Sequence, residues 1–157
     1  MSEERIADYR SRIGKIAPGP DRARQGLEIY WDHLTDPRFS AFYELLLGAR
    51  SNEDLKHLVV PAIRKFEEEW YRSINELFPE WQGTGPIFDL AMDLTQFLYE
   101  GMVLHTLIDP TPDRYRRLRV YVNNRLRDLL EIASRPDAEV AVRKYLAGNP
   151  IPLSSGM

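Results

Sequence analysis

The stretch Leu27–Leu58, LEIYWDHLTDPRFSAFYELLLGARSNEDLKHL, carries three helical patterns one after another with almost no spacer. Leu27, Tyr30, Trp31 and Leu34 fall at helical spacing and give one apolar face that closes before Thr35-Asp36-Pro37. Asp36 is placed to cap the next helix, with Pro37 at its first position, where a missing N–H leaves no bond unmade. Phe39, Phe42, Tyr43 and Leu46 form a second stripe, which ends at Gly48-Ala49-Arg50-Ser51. Ser51, followed three residues later by Asp54, reads as an acidic variant of the capping box and opens a third helix.

Working outward, the same grammar covers the rest of the chain. Ile6, Tyr9, Ile13 and Ile16 give a narrow stripe on a short first helix, with Glu3, Glu4, Arg5, Asp8, Arg10 and Arg12 as its solvated face; Pro18-Gly19-Pro20 stops it, and Asp21 starts the next. The long fourth helix is expected from about Asn52 to Phe78, apolar along Leu55, Leu58, Val59, Ala62, Ile63, Phe66, Trp70, Ile74 and Leu77. Pro61 interrupts it, which predicts a kink near His57 or two helices meeting there. A loop over Pro79–Pro86 leads into a fifth helix, about Ile87 to Leu107. Its polar residues Asp89, Asp93, Gln96 and Glu100 make one thin stripe. Phe88, Met92, Tyr99 and Val103 lie on one side of it, with Leu90, Leu94, Phe97, Leu98, Gly101, Leu104 and Ile108 on the other. A helix apolar around most of its circumference is buried from more than one direction. Thr111-Pro112 opens a sixth helix, and a seventh follows Pro136. No period-2 run or hairpin turn signals a strand. The expectation is an all-α bundle of six or seven helices, forming one domain over residues 1–147 with a flexible tail at 148–157.

Composition narrows the function classes. The chain has 157 residues, is 43% hydrophobic and 29% charged, and contains no cysteine, so disulfides and thiolate chemistry are excluded. MSEERIADYR is charged where a signal peptide would be apolar, and no run approaches the roughly 20 apolar residues that span a bilayer. A cytoplasmic protein without membrane partners is expected. The net charge of −3 offers no general attraction to nucleic acid. Arg114, Arg116, Arg117, Arg119, Arg125 and Arg127 fall on two flanks of the sixth helix, with Asp113, Asp128 and Glu131 between them, as on a solvated face.

Catalytic and metal signatures are absent from the sequence. His57 lies three residues after Asp54 and His105 four before Asp109, but a di-iron bundle needs repeated Glu-x-x-His, and none occurs. There is no Gly-x-Ser-x-Gly elbow, and Gly83-Thr84-Gly85-Pro86 lacks the lysine and preceding strand of a phosphate loop. No cofactor, metal or catalytic residue is expected. The aromatics read first as core, yet as a set they exceed what a bundle needs, as in an apolar pocket.

The pattern resembles the C-terminal, ligand-binding domain of TetR-family transcriptional regulators over roughly Asp21 to Ile132. The matching strings are the tryptophan-bearing helix and Asp36-Pro37-Arg38-Phe39, then Glu44-Leu45-Leu46-Leu47-Gly48-Ala49-Arg50 leading into Ser51-Asn52-Glu53-Asp54-Leu55. Val60-Pro61-Ala62-Ile63 and Leu98-Tyr99-Glu100-Gly101-Met102 continue it. The resemblance implies a domain that does no chemistry, pairs with a second copy and senses a small apolar or aromatic effector. Tyr30, Trp31, Phe42, Leu46, Ile63, Phe66, Trp70 and Met102 are the expected pocket walls, with His105 as first polar contact and Tyr43 as second. Leu94, Phe97, Gly101 and Leu118 are the expected homodimer contacts, two helices from each copy forming a four-helix interface. The family's helix-turn-helix head has no counterpart in the 26 residues before Leu27, so this chain alone is expected not to bind DNA. A helical-bundle enzyme using a metal or a His/carboxylate pair, and a stand-alone partner-binding bundle, are the alternatives from other classes.

Overall fold

The apolar spacing of the sequence becomes helix after helix. The computed structural model describes residues 2–149, with seven α-helices and no strand among them. Of the expected tail, Gly148 and Asn149 are seen closing the last helix, while residues 150–157 lie outside the described residues. The chain divides into two compact units, Met1–Phe78 and Pro79–Met157.

The first unit holds α1 (Ser2–Gly14), α2 (Pro20–Leu34), α3 (Pro37–Ala49) and α4 (Glu53–Leu77). α1 packs on α2 and α4, and α3 on α4 and α2. The stripe Ile6, Tyr9 and Ile13 is buried, as its spacing predicts. Tyr9 donates its hydroxyl to the Gly26 carbonyl at 3.2 Å and meets the Trp70 ring edge-on at 4.7 Å. Burial pushes the Tyr9 phenol well above its ordinary range, against the opposing charge of Arg22. Gly26 is the closest approach in this unit. A Cβ there would stand 2.9 Å from both the Phe78 ring and the Tyr9 hydroxyl, and 3.3 Å from Ile13.

Helix ends follow the sequence in one place and depart from it in another. Asp36 caps α3 as expected, accepting from the Arg38 N–H at 2.8 Å, with Pro37 in the first turn. α4 is capped by Asn52, whose side chain accepts from the Leu55 N–H at 3.0 Å, and not by Ser51. Ser51 still belongs to the end of α3, where its N–H and hydroxyl both turn back to the Gly48 carbonyl. Asn52 is the first residue extended enough to present a side-chain oxygen to the new helix. Pro61 does not split α4, which runs unbroken for 25 residues. Pro61 and His57 are both exposed, so water can serve the carbonyl that proline leaves unbonded. The apolar stripe packed on α1 and α3 offsets the cost of about 3 kcal/mol.

The second unit begins with a 3₁₀ turn, Pro79–Trp81, whose buried Trp81 meets Phe88, and continues through α5 (Pro86–Thr106), α6 (Pro112–Ala133) and α7 (Ala138–Leu146). α6 packs on both α5 and α7. The turn between α5 and α6 is organised by Asp109 and not by the expected cap Thr111. The Thr111 side chain makes no capping bond; its N–H and hydroxyl both donate to Asp109 Oδ1, at 3.0 and 2.5 Å, while Arg114 holds Oδ2 at 3.1 Å.

Gly26→Ala tests the close approach. Alanine gains up to ~1 kcal/mol of helix propensity, and overpacking costs about 1–3 kcal/mol, so a net loss of stability is expected in urea unfolding. An unchanged or raised midpoint contradicts it.

Candidate functional site

Two surfaces stand apart from ordinary helical packing, one in each unit. In the first, an aromatic ladder runs along the core. Tyr30 stacks on Trp70 at 5.5 Å, Phe66 stacks on the same indole at 6.2 Å, and Tyr9 meets it edge-on. Phe39, Phe42 and Tyr43 form a second group, with centroids 4.7–6.1 Å apart. Tyr30, Tyr43 and Trp70 are buried, while Trp31, Phe42, Leu46, Ile63 and Phe66 are half-buried. The structure therefore brings Tyr30, Phe66 and Trp70 together, and Phe42 with Tyr43, as rings packed on rings.

Beside the ladder lies a cleft of about 650 Å³ between α1, the end of α2 and the start of α3. Its lining is almost wholly ionic: Glu4, Arg5, Asp8 and Arg12 from α1, Asp32 and His33 from α2, then Asp36, Arg38 and Phe39. Arg12 pairs with Asp32 at 2.7 Å, and Asp8 with His33 Nε2 at 2.7 Å. Arg38 grips Asp36 through Nε and Nη2, both at 2.9 Å. Arg10, on α1, reaches Glu76 on α4. Sequence reasoning took the α1 charges for a solvated face. The available signal was their spacing: residues 4, 5, 8 and 12 flank the buried stripe on a single side, where a neighbouring helix could be met.

In the second unit, α5 separates its two apolar sides. Ile87, Phe88, Ala91, Met92, Tyr99, Met102 and Val103 are buried. Leu94 is half-buried, and Phe97, Leu98, Gly101 and Leu104 are exposed, Phe97 at 65%. A Cβ on Gly101 would meet nothing within 4 Å. α6 adds exposed Leu118 and Tyr121, and the turn adds Leu107 and Ile108, each about four-fifths exposed. Of the two expected pocket residues here, Met102 is buried. His105 is engaged inside the unit, its Nδ1 3.0 Å from the Tyr115 hydroxyl, which in turn donates to the Asp109 carbonyl. With the tyrosine proton so used, His105 Nδ1 carries its own proton and donates.

Among the described residues, no three histidine or carboxylate side chains converge as a metal would require, and no helix is long and apolar enough to cross a membrane. Comparison with known proteins finds no matching family model, no curated protein and no solved structure, so the likeness to TetR regulators rests on the residues quoted above.

Two carboxylates are held down to about 2. For Asp36 the side-chain bond from Arg38 comes first, then the Arg38 N–H; for Asp109 it is the Thr111 hydroxyl, then its N–H, then Arg114. Each lies below the unfolded value of about 3.9. Such groups stabilise the fold above that value, and the contribution is lost as pH falls toward about 2. The urea midpoint of the wild type should therefore fall more steeply between pH ~4 and ~2 than that of an Asp36→Asn/Asp109→Asn double variant. Parallel curves would show that neither carboxylate matters to stability.

Proposed function

We propose that this chain is a pairing and small-ligand-sensing domain of the kind found in TetR-family regulators, acting by binding and not by catalysis. One observation carries the reading: α5 offers a continuous apolar face, Leu94, Phe97, Leu98, Gly101 and Leu104, to solvent. Exposed apolar side chains are ordinary when scattered, but a contiguous strip along a helix marks an interaction surface. α5 and α6 are 21 and 22 residues long, roughly 30 Å each. Two such helices from each copy, crossed about a two-fold axis, offer the length along which a stable interface of ~800 Å² per partner is built. A two-fold arrangement suits a self-complementary patch, because the same strip serves both subunits. Gly101, with open space above it, lets a partner backbone approach closely.

The sensing half of the reading is supported by the aromatic content of the first unit and by its resemblance to the family's effector-binding helices. The effector is a small apolar or aromatic molecule, taken between Tyr30, Trp31, Phe42, Leu46, Ile63, Phe66 and Trp70 of the first unit, with Tyr43 as a polar contact. Sequence-selective DNA binding is not expected of these 157 residues, since the arginines of α6 are largely partnered by their own acids, as in Arg116–Asp113 and Arg125–Asp128.

Sedimentation velocity tests the pairing. The wild-type chain should run as a dimer at micromolar concentration, and Gly101→Arg should run as a monomer with unchanged helical content, because a side chain at Gly101 has room within a single chain. A monomeric wild type, or a dimeric Gly101→Arg, rejects the arrangement. An effector held at one hundred times its dissociation constant should add about 2.7 kcal/mol of stability, well within reach of a thermal-shift screen.

A further inference from the structure

Arg5 lays its guanidinium over two aromatic rings at the edge of the ionic cleft. Its guanidinium carbon lies 4.7 Å from the Phe39 ring centroid and 5.4 Å from that of Phe66. Both are within the range at which an aromatic face attracts a cation. Neither ring depends on Arg5 for its position: Phe39 packs on Phe42 and Tyr43, and Phe66 on Trp70. The adjoining cleft of about 650 Å³ is large enough for a small organic molecule. Leaving Arg5 aside, its lining sets four carboxylates, Glu4, Asp8, Asp32 and Asp36, against two guanidiniums, Arg12 and Arg38, and His33. The Phe39 face in the cleft wall, with Phe66 within reach of the same guanidinium and a net-negative lining around it, selects a flat organic cation, and the cation there now belongs to the chain itself.

We propose that this cleft binds a small planar organic cation, an amidinium or guanidinium carried on an aromatic group, and that the Arg5 side chain occupies the cation position until such a ligand displaces it. The site goes beyond the apolar effector proposed above and does not depend on pairing of the chain. α1 keeps its place when Arg5 swings out, because Ile6, Tyr9 and Ile13 remain buried and Arg12–Asp32 and Asp8–His33 still join it to α2. A tethered group competes at high effective concentration. Binding to the native chain is therefore weak, and removing the tether strengthens it.

Isothermal titration of the full 157-residue chain with benzamidine, and with neutral benzamide of the same shape, tests the proposal. Benzamidine should bind the wild type, and should bind Arg5→Ala at least tenfold more tightly. Benzamide should bind neither. Adding Phe66→Leu to Arg5→Ala should abolish the gain, since leucine keeps most of the volume without the aromatic face. Arg5→Gln serves in the same way if the alanine variant unfolds. Benzamidine binding to the Arg5 variants no more tightly than to the wild type, or benzamide binding equally well, overturns the proposal. Sedimentation reads the pairing separately, so either idea can fail without the other.

Discussion

Trp70 holds three helices of the first unit at once. Its indole meets Tyr9 of α1 edge-on at 4.7 Å and stacks on Tyr30 of α2 at 5.5 Å, from a position on α4. Rings at these separations gain from the alignment of their quadrupoles as well as from burial, about 0.5–1.5 kcal/mol per pair beyond area. The position of Tyr9 decides where its hydroxyl can go, and it goes to the Gly26 carbonyl. That bond brings α1 so near α2 that residue 26 has no room for a side chain. Phe66, one turn before Trp70, takes its orientation from the same indole and so presents a face to Arg5. The cleft beside α1 thus rests on the aromatic core beneath it.

Around that core, charge does a different job. Arg12–Asp32, Asp8–His33 and Arg10–Glu76 join α1 to its neighbours from both flanks. Exposed pairs of this kind contribute little energy each, at most about 1 kcal/mol. Their value lies in direction: they fix how α1 is rotated about its axis, and hence which of its residues line the cleft. In the second unit the governing constraint is a shortage of cover. α5 has apolar side chains around most of its circumference, and one side of them is left facing water. The two units differ accordingly, the first self-satisfied in its rings and ion pairs, the second carrying an unspent apolar surface.

Local rules gave a good account of the helices. Asp36-Pro37 and Thr111-Pro112 placed the starts of α3 and α6, and period-3.6 spacing identified Ile6, Tyr9 and Ile13 as buried. One capping assignment shifted, from Ser51 to Asn52, while Thr111 kept the N-cap position of α6 without a capping bond, its N–H and hydroxyl turned to Asp109. At the start of α4 two adjacent polar residues had the right chemistry, and the backbone conformation chose between them. The long helix continued through Pro61 because its apolar stripe outweighed one missing bond, a balance that no window of sequence around the proline contains.

What the sequence by itself determined was the class of structure, the order of the helices and the two-sided character of α5, since each follows from residues within a few turns of one another. Tertiary structure alone decided which rings stack on which, that the charges at positions 4, 5, 8 and 12 line a cleft with Asp32, His33, Asp36 and Arg38, and that Arg5 settles over Phe39 and Phe66. It also decided that His105 turns to Tyr115. Many of these contacts join residues far apart in the chain, as from His105 to Tyr115 and from Arg5 to Phe66. Helical periodicity says which way a side chain points from its own axis. It carries no information about the rotation and spacing of the next helix, and those two quantities settle what the side chain meets.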